Sequence, residues 1–127
     1  MKNKGFTFVE LLVVMTLIAI LFVTTAVTYG GISKSSRDSR RKADLEAVRQ
    51  ALELCRSFSG SYPATVVGGG TIVCSSQTYM TKVPVDPKTE TVYTYTPSGT
   101  PPSAYTMSAT LENTNDDDYP TYTVTNP

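Results

Sequence analysis

An apolar run with an acid at its entrance limits what this chain can fold into more than any other feature. Residues Leu11 to Val23 carry no charge, and the wider span from Phe6 to Tyr29 exceeds the roughly 20 residues that a membrane-spanning helix needs. Glu10 lies at the start of the run. A carboxylate is costly in lipid, so an acid in this position indicates a functional role.

Two ordinary N-terminal segments share part of this pattern. A secretory signal has a basic head and an apolar core, and Thr24-Thr25-Ala26 loosely fits its cleavage site, but Glu10 then has no role. A plain single-pass anchor also leaves the acid without explanation. Neither explains why a short basic head, the Gly5-Phe6 junction and Glu10 occur together as one block.

The block Lys4-Gly5-Phe6-Thr7-Phe8-Val9-Glu10 resembles the class III leader of type IV prepilins, the subunits of pili and of type II secretion pseudopili. The resemblance implies a leader of residues 1–5, cleavage by a prepilin peptidase after Gly5, and methylation of the new N-terminus at Phe6. It also implies that the apolar segment is retained.

The same resemblance gives Glu10 an assembly role, in which its carboxylate pairs with the methylated amine of Phe6 in a neighbouring subunit. Such pairing is physically sound, because a desolvated charge must find a partner or neutralise. The alternative is a Glu10 side chain that only reaches back to the lipid headgroups.

Beyond the leader, the chain is expected to form three parts. Residues 6–29 form the transmembrane and filament-core helix, residues 30–60 the amphipathic helix of a globular domain, and residues 61–127 a loop and an antiparallel sheet region. Gly30-Gly31 predicts an interruption between the two helical parts, since each glycine costs about 1 kcal/mol relative to alanine. Gly60 and Pro63 predict the end of the second helix.

Apolar periodicity predicts which residues form the core. A stripe at helical spacing faces the core from the second helix: Leu45, Val48, Leu52 and Cys55. Four short segments predict strands: Thr71 to Cys74, Val92 to Tyr95, Ala104 to Leu111 and, at an edge, Tyr122 to Val124. The expected fold class is α+β, with a long N-terminal helix whose amphipathic half packs on a small antiparallel sheet of three or four strands. This is the pilin ladle that the resemblance also implies.

The resemblance extends beyond the leader. The block from Arg40 to Leu54 is similar to the helix of type II secretion major pseudopilins and related pilins. Tyr62-Pro63, Val83 to Lys88 and Tyr93-Thr94-Tyr95 are similar to the same group. The C-terminal third matches only in general character, so the choice between pilus and pseudopilus stays open.

Composition argues against catalysis. The chain has no histidine, which removes the usual general base and the commonest zinc ligand. No nucleophile and base occur in a recognisable pattern, and Gly68-Gly69-Gly70 is not a phosphate-binding loop because no Lys-Ser or Lys-Thr follows it. We therefore expect a protein that is not an enzyme and requires no cofactor.

Charge is balanced overall but unevenly distributed. Five basic residues follow the apolar segment, namely Lys34, Arg37, Arg40, Arg41 and Lys42, whereas the C-terminal end is acidic. The basic run fits a solvated helix face, pairing with the acidic end of another subunit, or binding of DNA. The aromatic residues of a nucleic-acid stacking surface are missing from it, so DNA has weak support as a partner.

Cys55 and Cys74 are the two cysteines of a domain expected to face an oxidising space. They form either a disulfide or two reduced, buried thiols. A disulfide closing a loop of this length contributes about 3 kcal/mol in the chain-entropy model.

An oxygen-rich segment near the C-terminus could hold calcium, which takes six to eight oxygen ligands. Its candidate ligands are Asn113, Asn115, Asp116, Asp117 and Asp118. The pseudopilin resemblance implies a calcium site in a C-terminal loop, although this spacing is not that of an EF-hand. A solvated acidic turn is the alternative.

Together these features predict a structural filament subunit of a type IV pilus, serving adhesion, twitching or DNA uptake. A major pseudopilin of a type II secretion system and a monomeric membrane-anchored binding module are the alternatives. The expected partners are other copies of the chain, the prepilin peptidase, an inner-membrane assembly platform and, before assembly, the membrane itself. The expected location is the cell membrane, then an extracellular or periplasmic filament.

Overall fold

The computed structural model describes residues 5–127, without the side chains of residues 25–28. The described part contains one helix, α1 (Phe8–Ser59), followed by β1 (Ile72–Cys74), β2 (Gln77–Met80), β3 (Thr94–Gly99), β4 (Pro102–Thr110) and β5 (Thr121–Thr125). The chain divides into two compact units, one ending at Ser33 and the other Lys34–Pro127. The α+β class agrees with the prediction, whereas residues 1–4 of the predicted leader lie outside the described residues.

Local chemistry sets the ends of α1. At the start, Thr7 caps the helix, and its carbonyl accepts the first helical hydrogen bond from the Leu11 N–H at 3.2 Å. At the end, Gly60 adopts a φ of +79° and its N–H bonds the Arg56 carbonyl at 2.8 Å. Glycine tolerates this left-handed conformation, so the termination predicted from Gly60 is confirmed.

The predicted interruption at Gly30-Gly31 does not take the form of a melted stretch, because α1 is helical through both glycines. A kink at this point stays a prediction. Glycine weakens a helix interior by about 1 kcal/mol per residue but does not forbid one.

The strands of the second unit form two separate antiparallel sheets. β1 and β2 make a two-stranded hairpin, and β3, β4 and β5 make a three-stranded sheet with β4 at its centre. In the larger sheet Tyr95 lies opposite Met107, which in turn lies opposite Val124. Pro97 fits within β3 because β3 is an edge strand, where a missing N–H can face outward.

The prediction of a single sheet is therefore corrected. The first predicted strand does form, as β1, but it pairs with β2, which sequence patterning missed. The strand predicted at Val92 to Tyr95 forms further along, at Thr94–Gly99. The other two predicted strands form at β4 and β5 with slightly different ends.

The core of the second unit lies between α1 and the strands. All four residues of the predicted helix stripe are fully buried: Leu45, Val48, Leu52 and Cys55. From β4 and the residue after it, alternate side chains are buried as predicted: Tyr105, Met107, Ala109 and Leu111. The rings of Tyr62 and Tyr105 meet edge to face, 4.7 Å between centroids, which is a favoured aromatic geometry. The amphipathic half of α1 thus packs on the strands, as periodicity predicts.

Candidate functional site

The first turn of α1 is closed by Thr7 and Glu10. The Glu10 N–H donates to Thr7 Oγ1 at 3.2 Å, while Glu10 Oε2 accepts from the Thr7 N–H at 3.0 Å and from its hydroxyl at 2.9 Å. This is a capping box, in which the side chains three residues apart satisfy each other's backbone N–H groups. It holds the Glu10 carboxylate at the very start of the helix.

Gly5 and Phe6 precede this cap and lie outside the helix. Phe6 is 86% exposed, and a Cβ built on Gly5 would meet nothing within 4 Å. Both residues of the Gly5–Phe6 junction are therefore exposed in the described part of the chain. After cleavage there, the new amine would lie one residue before the capping threonine.

The helix beyond Glu10 exposes a continuous apolar surface. Its large apolar side chains from Phe8 to Val23 are each between 46% and 79% exposed. Exposed apolar surface of this extent marks a site of contact with membrane or protein. By length and composition the helix can cross a membrane, and none of its most apolar 18-residue window is buried.

The basic run of the second unit is engaged within the chain. Arg41 is 2% exposed and binds three carboxylates: Asp38 at 2.6 Å, Asp86 at 2.6 Å and Glu112 at 2.9 Å. The hydrogen bond from Arg41 is the main reason that the pKa of Asp86 lies well below its ordinary value. A buried charge of this kind must be paired. Its ion pairs with Asp86 and Glu112 connect α1 to two segments that lie far along the chain.

Neighbouring charges complete the network. Arg37 donates two hydrogen bonds of 2.8 Å to Glu112, and Lys88 Nζ donates a third of the same length. These donors lower the pKa of Glu112 far below its ordinary value, and the hydrogen bond from Arg37 makes the largest contribution. The fully buried Asp38 accepts from the backbone N–H groups of Glu112 and Asn113 at 2.7–3.0 Å. The connection between β4 and β5 is thereby fixed to α1.

Lys42 binds the acidic loop predicted as a calcium site. Its Nζ donates to Asp116 and Asp118 at 2.6 Å each and lies 5.3 Å from the centre of the Tyr122 ring. One ammonium is thus already bound to two of the five candidate ligands. No group of three or more His, Cys, Asp or Glu side chains able to hold a metal ion occurs among residues 5–127. Calcium binding that also uses Asn113 and Asn115 stays a prediction.

The basic residues therefore divide into two groups. Arg37, Arg41 and Lys42 pair with acids 45 to 76 residues further along the same chain. Pairing of the basic run with another subunit stays a prediction. Lys34 and Arg40 are exposed and form no ion pair in the described part of the chain. The extended basic surface that DNA binding would need is thus reduced to two separate side chains.

The two cysteines form a disulfide, which resolves the alternatives left open above. Cys55 on α1 and Cys74 on β1 are bonded, with their Cα atoms 5.6 Å apart. Both are buried. The bond ties the last turns of the helix to the β1–β2 hairpin.

Tyrosine hydroxyls make further contacts that sequence patterning missed. Tyr62 and Tyr105 both donate to Glu53, at 2.9 Å and 3.3 Å, and Tyr95 donates to the Pro63 carbonyl at 2.7 Å. Burial raises the pKa of Tyr95 to about 12. The high tyrosine content of residues 62–122 was the available signal, because a buried tyrosine needs a partner for its hydroxyl.

Comparison with known proteins bears on the N-terminal block. Residues 1–26 match a family model described as the prokaryotic N-terminal methylation motif, the signature of type IV pilins and pseudopilins. The match includes the Gly5–Phe6 junction, Glu10 and the apolar run. No curated protein and no solved structure matches the chain. The resemblance stated from the leader residues is confirmed, and the motif indicates a protein processed as prepilins are.

Proposed function

We propose that this chain, which carries the type IV pilin signature, is a structural subunit of a type IV pilus-like filament. It is cleaved after Gly5, methylated at Phe6 and polymerised through its N-terminal helix. The observation that carries the proposal is the methylation motif over residues 1–26, placed on a helix that presents Glu10 and an exposed apolar surface. The partners follow from it: the prepilin peptidase, an inner-membrane assembly platform and other copies of the chain.

During assembly, the exposed apolar surface of α1 moves from lipid into contact with other helices. Before assembly, lipid covers the apolar side chains from Phe8 to Val23, and Glu10 is held by Thr7 at the helix start. In the filament, neighbouring helices replace the lipid, and the amine of Phe6 from another copy replaces Thr7 as the partner of the Glu10 carboxylate. Pairing of a buried charge fixes register between helices, and this specificity is its best-attested role.

The signature is that of structural subunits, and we propose no catalytic activity. The Arg41 network has the buried charges of an active site, but its carboxylates are held by arginine and lysine donors at 2.6–2.9 Å. Charges held in this way position the loops of the second unit.

A major pseudopilin of a type II secretion system is the second candidate. The helix block from Arg40 to Leu54 favours it by its similarity to that group. A monomeric membrane-anchored module is the third candidate, and it predicts that Glu10 has no effect on behaviour.

Mass spectrometry of cell fractions tests these proposals. We expect mature chains that begin at N-methylated Phe6 and are abundant in filaments sheared from the cell surface. The same processed chain confined to the membrane fraction, with none sheared from the surface, would favour the pseudopilin. A chain that still begins at Met1, or begins beyond Ala26, would contradict the processing proposal itself.

A further inference from the structure

An exposed aromatic pair lies at the C-terminal end of α1. Phe58 is 73% exposed, and its ring stacks on that of Tyr79 with 5.9 Å between the centroids. Leu54, one turn earlier on the same helix face, is 53% exposed. We name Leu54, Phe58 and Tyr79 the aromatic platform. Clustered aromatic residues supply much of the binding energy at protein interfaces.

The platform is held in place by covalent and polar contacts. Cys55, three residues before Phe58, is bonded to Cys74 of β1, and β1 pairs with β2, the strand that carries Tyr79. The nearby charges are engaged elsewhere: Glu53 accepts from two tyrosines, and Arg56 donates to the Tyr62 hydroxyl at 3.0 Å. A surface fixed in advance loses less conformational entropy on binding, so the platform is suited to an uncharged partner surface.

A second exposed apolar feature is built from different segments. Val67 is 62% exposed and Val92 is 48% exposed, and Val92 packs closely against Gly68, the residue that follows Val67. A Cβ on Gly68 would lie 2.8 Å from Val92 Cγ2, so only glycine allows the two segments to approach this closely. We name Val67, Gly68 and Val92 the valine patch.

Each feature has an unpaired charge close to it in the chain, and the two charges have opposite signs. Lys82 follows Tyr79 by three residues, and Glu90 precedes Val92 by two. Both side chains are exposed, and neither forms an ion pair within residues 5–127. Opposite charges beside apolar surfaces are the arrangement that gives a protein interface its orientation.

We propose that the aromatic platform of one copy docks on the valine patch of the next copy, with Lys82 facing Glu90 across the contact. Two different patches on one chain make a head-to-tail contact, which can repeat without closing and so generates a helical filament. The inference rests on the proposed function, because it takes the partner to be a second copy within the filament. It adds a contact between globular units to the contact between helices.

Site-specific photocrosslinking tests the docking directly. A photoreactive phenylalanine analogue replaces Phe58, and filaments sheared from cells are irradiated and digested for mass spectrometry. We expect dimers of the chain in which position 58 is joined to a peptide containing Val67 or Val92. Matched placement of the analogue at Tyr119, which is also exposed, should not yield that peptide pair. Crosslinks from position 58 only to other segments or other proteins would overturn the proposal.

A charge exchange gives a second test that does not depend on an unnatural residue. We expect Lys82→Glu and Glu90→Lys each to lower the yield of sheared filaments by roughly twofold to fivefold, the range for an exposed ion pair. The double variant should recover the yield, because it restores opposite signs. Thr123→Lys is the control, since Thr123 is exposed on β5 and belongs to neither the aromatic platform nor the valine patch. A double variant no better than the weaker single variant would overturn the inference.

These experiments distinguish a wrong docking contact from a wrong proposed function. If the unaltered chain forms no filament, the proposed function is wrong. If it forms filaments that show neither the crosslink nor the recovery, the proposed function stands and only the docking contact is wrong.

Discussion

From Phe8 to Val23, α1 exposes nearly every large side chain, whereas from Leu45 to Cys55 the same helix buries its apolar stripe against strands of its own chain. Polar groups show the same contrast. Within residues 5–127 the Glu10 carboxylate bonds only Thr7, three residues away, whereas Arg41 reaches acids up to 71 positions further along the chain. The second unit buries its apolar stripe and pairs much of its basic run within its own chain, and only small apolar features such as the aromatic platform and the valine patch stay exposed. The first unit exposes nearly all of its large apolar side chains. This division suits a subunit that polymerises chiefly through its N-terminal helix.

The largest effect is expected from Glu10→Gln, which keeps the shape of the side chain and removes its charge. Processing at Gly5 should continue, because the junction lies outside the helix. Filaments should fall below detection, since the neutral amide cannot form an ion pair with the amine of a neighbour. Quantification of sheared filaments beside the membrane-bound pool measures the effect. Glu46→Gln, which makes the same change at an acid of the second unit whose partners Arg49 and Tyr122 lie in its own chain, is the matched control and should assemble normally.

Arg41→Met should destabilise the second unit by about 3–5 kcal/mol, because it leaves Asp38, Asp86 and Glu112 without their shared cation. That is a large part of the 5–15 kcal/mol typical of a whole domain. Urea unfolding of the detergent-solubilised chain, followed by tyrosine circular dichroism, measures the loss. Arg40→Met, at an exposed position without an ion pair, should change stability by no more than about 0.5 kcal/mol. Equal effects of the two substitutions would show that the network is not a major source of stability.

Replacing both cysteines with serine should cost the second unit about 3 kcal/mol, as expected for a crosslink that closes a loop of 18 intervening residues. The helical apolar segment should be unaffected, because the disulfide lies wholly in the other unit. Comparison of oxidised and reduced wild-type protein under the same urea protocol provides the control. An unchanged unfolding midpoint after reduction would contradict this assignment.

The stability of the second unit should fall at acidic pH. Asp86 and Glu112 have folded-state pKa values below their ordinary values, with arginine hydrogen bonds as the leading cause. Their contribution is therefore complete above about pH 5 and is lost as the pH falls through their unfolded pKa values near 4 and below. A melting temperature that drops steadily below pH 5 would agree with this, and Arg41→Met should flatten the profile. A profile of the same slope in both proteins would exclude the network as its cause.

Lys42→Met should have the smallest effect on stability. It should lower the melting temperature by less than loss of the disulfide does, because the ion pairs of Lys42 are partly solvated. It also tests the calcium prediction. Calcium should raise the melting temperature of this variant more than that of the wild-type protein, since the metal no longer competes with the ammonium for Asp116 and Asp118. Magnesium is the control cation. No response to calcium in either protein would mean that the loop holds no calcium.

Structural features that depend on a short stretch of sequence could be predicted. The Leu45, Val48, Leu52 and Cys55 stripe and the alternation along β4 depend on periodicity within about ten residues, and both are buried as expected. The termination at Gly60 depends on one residue's tolerance of positive φ. The resemblance that names Gly5, Phe6 and Glu10 could be stated because the leader block is compact and specific, and this block lies within the matched motif. The roles of the three residues stay predictions.

What could not be predicted depends on distant partners or on weak local signals. Strand β2 has only four residues, is exposed or half-buried, and shows no alternation, so nothing local marks it. Arg41 and Lys42 look like a solvated basic run until folding brings Asp86, Asp116 and Asp118 beside them. Gly30-Gly31 is a strong local signal that predicted an interruption, yet the helix continues through it. A local cost in free energy does not decide whether a helix of 52 residues continues.

The central claim is that the Glu10 carboxylate passes from its own capping threonine to the amine of another copy when the filament forms. A high-resolution cryo-electron microscopy reconstruction of the native filament tests this most directly. We predict that Glu10 Oε lies within about 4 Å, the ion-pair limit, of the N-terminal nitrogen of Phe6 in a neighbouring subunit. A filament in which Glu10 still contacts only Thr7 of its own chain, with no neighbouring amine in reach, would contradict the account.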